Sequence, residues 1–452
     1  MEKAEDFTKG KILSPLLRFT LPVMFALFLQ AMYGAVDLMI VGKFAADADV
    51  SAVSTGSQLM MTITGLISSF SMALTVYIGE KIGEGKKEET GKIIGAGICL
   101  FGIIGVIIAV LTALTASPLA ALMQAPKEAF TATVSYIRIC GAGLLVIIAY
   151  NLLGSIFRGF GDSKTPLITV FIACIVNIGG DLLLVAVCGM GTAGAAIATV
   201  AAQGISVIVS LIMIHKKGML SGFSLHDIRL NRKVNQKIIK IGTPIALQDF
   251  LVGISFLIIL AILNSLGVIV SAGVGVAEKL CTFIMLIPIA FMQSISAFVA
   301  QNNGAGKPER AIKALKYACL VSLAFGAVTG YLSFFHGSTL AGIFANDTKV
   351  LAAASEYLKA YAIDCLLTCF LFCFIGFFNG MEKTGFVMLQ GIAGAFAARV
   401  PLSFLFSKVF PGSLFAIGIA TPCSSLVQIL MCVVYFILLR RKIYHTKNKQ
   451  IQ

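Results

Sequence analysis

Twelve stretches of this chain are each long and apolar enough to cross a lipid bilayer, and that repetition decides most of what it can fold into. Their limits are 14–42, 51–79, 92–115, 131–156, 166–187, 193–214, 239–263, 270–300, 312–333, 352–378, 386–407 and 414–439. A spanning helix needs about 20 mostly apolar residues. Lipid offers no partner for peptide N–H and C=O groups, so only helices and closed barrels span it. Barrel strands are short runs of about 10 alternating residues, which these long continuous runs are not. The expected fold is an all-α membrane protein. Charged residues make up 12% of the chain, against about 25% in soluble domains. That deficit excludes a soluble multidomain enzyme, a disordered chain and a nucleic-acid binder.

The net charge of +14 is explained by where the cations sit. One set of loops and ends holds Lys3, Lys9, Lys11 and Arg18, then Lys81, Lys86, Lys87 and Lys92, then Arg158 and Lys164. The same side continues with the 215–238 connection, Lys307, Arg310, Lys313 and Lys316, Lys383, and Arg440, Arg441, Lys442, Lys447 and Lys449. The opposite loops hold Lys43, Lys127, Lys349 and Lys408. Cytoplasmic loops are the Lys/Arg-rich ones, so both termini are expected inside a bacterial plasma membrane. Residues Met1–Gly10 are polar and the first apolar run is too long for a signal peptide, so no cleaved leader is expected.

A shift of roughly 221 residues aligns the halves with each other. Gly83-Glu84-Gly85-Lys86 meets Gly304-Ala305-Gly306-Lys307, Phe157-Arg158-Gly159 meets Phe378-Asn379-Gly380, Ile197-Ala198-Thr199 meets Ile419-Ala420-Thr421, and Pro22 meets Pro244. Each half holds six segments, an even number, so both enter from the same side. The expectation is two parallel six-helix repeats forming two lobes around a central cleft, an architecture of transporters. The boundaries expected are 1–214 for the N-terminal lobe, 215–238 for a cytoplasmic linker, 239–440 for the C-terminal lobe and 441–452 for a cytoplasmic tail.

Motifs of soluble chemistry fail on inspection. Gly189-Met190-Gly191-Thr192-Ala193-Gly194 fits GxGxxG but lies in a short turn between two spans, without a βαβ unit. The Gly79–Lys87 stretch has Glu84 where a phosphate-binding loop requires its second glycine. No HExxH or GxSxG occurs, and the eleven cysteines form no CxxC pair. Cys365, Cys369 and Cys373 share a helical face, which reads first as packing. No enzymatic activity and no cofactor are expected.

Ionisable groups inside spans are costly and point to function. Asp37 and Asp181 lie near the outer ends of the first and fifth segments. Thr199 and Tyr136 lie at similar depth in the sixth and fourth, and Asn177 is one turn from Asp181. Two carboxylates sharing a site of low dielectric raise each other's proton affinity. Such a pair suits proton exchange or a small cation held by oxygens, with no other metal expected. The repeat provides a control, because Asp37 aligns with Ile259 and Asp181 falls near Val400 or Leu402. The fold therefore does not require these carboxylates. In the second half Asp249, Lys279, Asp364 and Arg399 lie near mid-membrane and suggest internal pairing or a role in binding. Gln30, Tyr33 and Asn151 are polar candidates for the cleft, and Pro22 favours a kink in the first helix.

The chain resembles the MATE family, the multidrug and toxic-compound extrusion transporters, and within it the DinF-like branch. The resemblance rests on Leu21-Pro22 followed by Val36-Asp37, and on the Gly83-x-Gly85-Lys86 loop. It rests also on Arg158-Gly159-x-Gly161-Asp162-Ser163-Lys164-Thr165-Pro166, on Asn177-x-x-x-Asp181 and on Gly194-Ala195-Ala196-x-Ala198-Thr199. It implies a monomer that exports amphipathic, often cationic small molecules in exchange for protons or sodium ions. It further implies that Asp37, Asn177, Asp181 and Thr199 form the coupling site, with Tyr136 and Asn151 nearby, and that Asp249 and Asp364 match acidic residues of other branches. Two alternatives are a lipid-linked oligosaccharide flippase, which should show a large cationic cleft, and a receptor or scaffold, which has no need of a buried carboxylate pair.

Overall fold

A computed structural model describes residues 5–219, 222–410 and 412–451, with side chains to residue 443. Lys3 and the side chains of Lys447 and Lys449, counted above among the basic loops, lie outside the described residues. Among the described residues twelve candidate spans run in order, the bent pair taken as one: α1 Leu13–Phe44, α2 Asp47–Gly83, α3 Glu89–Leu114, α4 the bent pair Phe130–Ala142 and Leu144–Gly159, α5 Lys164–Val187 and α6 Gly191–Lys216. They continue with α7 Arg232–Asn264, α8 Val268–Gly304, α9 Pro308–Phe335, α10 Thr348–Gly380, α11 Thr384–Val409 and α12 Leu414–Ile443. No strand is assigned among the described residues. Several helices outrun their apolar stretch by a turn or two, because intrahelical bonding continues beyond lipid once water can solvate the side chains.

Four spans depart from a continuous α-helix, and the twelfth does so by a single turn at Ile419 between Leu414–Gly418 and the helix that starts at Ala420. The fourth bends by 54° between Ala142 and Leu144. Glycines at 141 and 143 weaken the helix there, and a Cβ on Gly143 would lie 2.5 Å from Val200 on α6. The bend therefore lets α4 rest directly on α6. The fifth and eleventh spans each contain a π-helical segment, Leu182–Val187 and Ala393–Arg399. Such segments insert a residue into the turn and re-aim the side chains beside them. One begins next to Asp181 and the other ends on Arg399.

The chain divides into two compact units, Met1–Phe7 with Arg18–Thr243, and Thr8–Leu17 with Pro244–Gln452. Within the first unit α2 packs on both limbs of α4, and α5 packs along α6. Small residues allow these approaches, as in other membrane helices. A Cβ on Gly159 would sit 2.9 Å from Ile78, and one on Gly56 would sit 2.5 Å from the Tyr136 ring. Within the second unit α10 lies innermost, against α8 and α9. Gly376 abuts the Met292 carbonyl and Gly326 abuts Cys365 and Cys369. Cys365, Cys369 and Cys373 are all buried there. Ile259, the repeat counterpart of Asp37, is buried in an apolar cluster with Leu263, Tyr357 and Tyr361.

Candidate functional site

Close approach of α5 to α6 assembles the polar centre of the first unit. Gly180 has no side chain to hold Ala198 away, and the residues that follow each of them, Asp181 and Thr199, are brought together. Asp37 enters from α1. The Thr199 hydroxyl donates to Asp37 Oδ2 over 3.4 Å and to the carbonyl of Ala195 over 3.0 Å. Asp181 and Asn177 also turn their polar ends toward the Asp37 carboxyl. Asp37, Asn177 and Asp181 are 6%, 1% and 0% exposed, so lipid and water are both excluded from them. Asp37 Oδ1, both Asp181 oxygens and both polar atoms of the Asn177 amide have no hydrogen-bond partner. Among the described residues neither carboxyl has an ion-pair partner. Buried polar atoms without partners are rare and call for an explanation. Four oxygens of two carboxyls and one amide oxygen form a donor set that suits a proton or a hard cation such as sodium.

Tyr136 is buried on the first limb of α4, where its hydroxyl lies beside the Cys140 thiol. It is near Asp37 without bonding to it. Along α1, one face continues the polar row inward from Asp37. Tyr33 lies beside the side chain of Gln203, which is one turn beyond Thr199 on α6. Gln30 Nε2 donates to the Tyr150 hydroxyl over 2.6 Å. Asn151 is half-buried and gives its amide to the carbonyl of Ile147 in its own helix. Sequence reasoning did not single out Gln203 or Tyr150. The signals were present: Gln203 stands four residues after Thr199, and Tyr150 precedes Asn151.

In the second unit the four mid-membrane candidates separate. Asp364 and Arg399 are buried, whereas Asp249 and Lys279 are exposed. Arg399 donates to Ser255 Oγ over 3.2 Å and lies 4.3 Å over the Phe256 ring. Asp364 turns toward Ser425 and feels the charge of Arg399 without a direct ion pair. Lys279 takes no part in that cluster. Its neighbour Glu278, which depth and charge in the sequence do not single out, lies near Cys281 and Tyr357.

Comparison with known proteins agrees with this architecture. The MatE family model matches twice, over residues 22–183 and 244–405, so that Pro22 opens one match and Pro244 the other. A probable multidrug resistance protein of Bacillus subtilis, YpnP, is 26% identical over 420 residues, covering 90% of this chain and 91% of the relative. The multidrug export protein MepA of Staphylococcus saprophyticus is 24% identical, covering 90% of each chain. A MOP superfamily transporter from Pyrococcus furiosus superposes with a TM-score of 0.90 at 19% identity, covering 99% of this chain and 100% of that one. An outward-facing multidrug resistance MATE family transporter superposes with a TM-score of 0.89 at 19% identity, covering 98% and 99%. The two family matches take in most of both halves, and the chain belongs to the MatE family of multi-pass membrane transporters.

Proposed function

We propose that the protein is a secondary active efflux transporter of the bacterial plasma membrane, with both termini cytoplasmic. It exports amphipathic, often cationic compounds in exchange for protons or sodium ions. The relatives named above as multidrug exporters support the substrate class. The observation that carries the coupling is the cluster of Asp37, Asp181 and Asn177, dry, adjacent and without a counter-charge. Two carboxylates so placed hold a proton or a cation between them, because the fully ionised pair repels itself where water cannot screen it. Loss of the ion favours hydration and opening of the site, and its return favours closure. The site therefore biases a conformational equilibrium. One charge moved through 100 mV supplies about 2.3 kcal/mol, before any concentration gradient is added. Tyr33 and Gln30, on the same face of α1, are placed to read the substrate, with Asn151 beside Tyr150.

Efflux of a compound panel from everted vesicles, driven separately by a pH gradient and by a sodium gradient, tests this reading. Asp37→Asn and Asp181→Asn should each abolish gradient-driven efflux while the protein remains folded and inserted. Normal transport by either variant overturns the assignment.

A further inference from the structure

Two glycines of α3 fix the depth at which the 215–238 connection crosses the first unit. A Cβ on Gly91 would meet the Gly222 carbonyl at 2.2 Å, and one on Gly95 would meet the Asp227 carbonyl at 2.4 Å. Gly95 lies about 6 Å farther into the span than Gly91, at 1.5 Å of rise per residue. Lys92, between them, is the last charged residue of α3. The connection at Asp227 therefore sits below the end of the charged zone. The start of α7 has a level of its own. Gly242 abuts the Phe70 ring, whose centroid is 5.2 Å from that of Phe101 on α3. Ten residues earlier along the two helices stand Arg232 and Gly91, so Arg232 and Lys233 lie near the level of Lys92.

The outward side of this segment is apolar where it runs deep. Leu225, Ile228 and Leu230, which flank Asp227, are 77%, 40% and 60% exposed, whereas Met219, Val234 and Ile238 are buried. Val106 is three turns beyond Gly95 on the same face of α3 and is exposed; in a spanning helix that exposure is to lipid. The connection thus lies over the lipid-facing side of α3. Arg229, Arg232 and Lys233 are also exposed, and their side chains have no ion pair or hydrogen bond among the described residues. Lys217 and Lys237, by contrast, are paired with Asp162 and Glu80. Asp227 is the one acidic residue between 215 and 240, and its carboxylate accepts from the backbone N–H of Ser224 over 2.8 Å.

We propose that residues 222–233 form a binding site for anionic phospholipid. Leu225, Ile228 and Leu230 enter the acyl chains, and Arg229, Arg232 and Lys233 hold the phosphate-bearing headgroup. Depth and charge agree: the aliphatic side chains flank the deeper crossing at Asp227, and Arg232 and Lys233 stand above it beside Lys92. Segments that lie in the plane of a membrane sort their side chains in this way, and basic residues near the surface are drawn to anionic lipid. A free anion would satisfy the cations and leave three aliphatic side chains bare. A soluble protein would have to reach below Lys92, where lipid already is. The orientation proposed above decides only that the lipid belongs to the cytoplasmic leaflet; neither transport nor coupling enters the test.

The chain contains no tryptophan, so Leu225→Trp and Leu230→Trp each give a full-length protein with a single indole. Each is reconstituted in nanodiscs of phosphatidylcholine and phosphatidylglycerol at equal mole fraction, with brominated acyl chains on one lipid or on the other. Both tryptophans should emit in the blue range of a lipid-buried indole and be quenched by bromine. Brominated phosphatidylglycerol should quench about twofold or more better than brominated phosphatidylcholine. Arg229→Gln/Arg232→Gln/Lys233→Gln in either background should bring the two lipids to parity while quenching persists, because the aliphatic contacts remain. Arg229→Lys/Arg232→Lys should keep the preference, which depends on charge. The two tryptophan positions are independent reporters, so a variant that fails to fold at one leaves the other to decide. Emission of a water-exposed indole without bromine quenching overturns the proposal, as does equal quenching by the two lipids before the cations are removed. In discs of phosphatidylcholine alone, an emission shift on adding inorganic phosphate would identify a free anion as the ligand and also overturn it. Efflux that proves independent of protons and sodium would sink the coupling reading and leave these quenching results untouched.

Discussion

Gly180 of α5 faces Ala198 of α6 so closely that a methyl group on Gly180 would lie 3.0 Å from the Ala198 side chain. The two residues next in sequence are Asp181 and Thr199, so this one approach sets the width of the polar centre. Gly180→Ala should push the helices apart by a few tenths of an ångström, and Gly180→Leu by more. Both variants should insert and fold. Efflux under an ion gradient should fall with side-chain size, the leucine variant losing about tenfold or more, since small displacements in a reacting or binding geometry have large effects on rate. Unchanged efflux in Gly180→Leu would show that the α5–α6 spacing does not matter to coupling.

The Tyr33–Gln203 contact leads to a second expectation. Gln203 Oε1 is already without a hydrogen-bond partner, so the Gln203 amide touches Tyr33 while holding capacity in reserve. Gln203→Leu removes the polar neighbour of a half-buried phenol, a loss of about 0.5–1.5 kcal/mol. The effect should be larger on apparent substrate affinity than on the maximal efflux rate, because Tyr33 lies inward of the carboxyls rather than among them. Gln203→Glu should retain more affinity than Gln203→Leu. Concentration dependence of efflux in vesicles separates the two parameters.

How far the sequence carried the argument depends on what periodicity and depth can encode. Length and hydropathy locate all twelve spans, and counting from helix ends puts Asp37, Asn177, Asp181 and Thr199 at one level. The internal repeat isolates Asp37, since its counterpart Ile259 is an ordinary core residue. Depth does not give the face, however. A helix that is apolar all round has little moment to orient it. Depth alone therefore groups Lys279 with Asp364, although Glu278, one residue earlier, is the side chain near Cys281 and Tyr357. The bend at Gly143 and the two π-helical segments are equally hidden. Each depends on which residue of another helix meets it, Val200 in the case of Gly143, and no local pattern records that partner.

The turn between α2 and α3 carries a pH dependence. Lys81 and Lys86 each approach Glu84 to 2.9 Å. The hydrogen bond from Lys81 is the main cause, with Lys86 adding to it, that the Glu84 carboxyl is held below its ordinary value of 4.5. A depressed folded value means that the stabilisation is present above the ordinary range and is lost as pH falls through the lower, folded one. The side chains are partly solvated, so the contribution is under about 1 kcal/mol. Glu84→Gln should therefore melt slightly below wild type at pH 7 in low salt, and the difference should shrink both toward pH 3 and on adding salt. A gap that widens on acidification would contradict the assignment.

The 215–238 connection reads in sequence as a polar linker, yet in the structure it is fastened along the first unit. Lys217 donates to Asp162 Oδ2 and to Thr165 Oγ1, each over 2.6 Å. Asp162 Oδ1 meanwhile accepts from the backbone N–H groups of Lys164 and Thr165, capping α5. Farther along, Gly222 has φ +87°, and its carbonyl lies so close to α3 that a Cβ on Gly91 would meet it at 2.2 Å. Asp227 crowds Gly95 in the same way, one turn later. Lys237 then bonds Glu80 and sits 4.4 Å over the Tyr77 ring. Gly91→Leu cannot be accommodated without lifting the backbone at Gly222, because the obstacle is a peptide group rather than a flexible side chain. The segment should detach while the spans stay assembled, and trypsin should cut at Arg229 or Arg232 about tenfold faster, a factor equivalent to roughly 1.4 kcal/mol of local opening. Lys217→Met acts at the other end. It leaves the buried Asp162 carboxylate with its capping bonds but no counter-charge, at a cost of about 1.5–3 kcal/mol, and Lys217→Arg should recover part of that. Protease rates unchanged in Gly91→Leu would mean that the connection is held by its ion pairs alone, in which case Lys217→Met should release it instead.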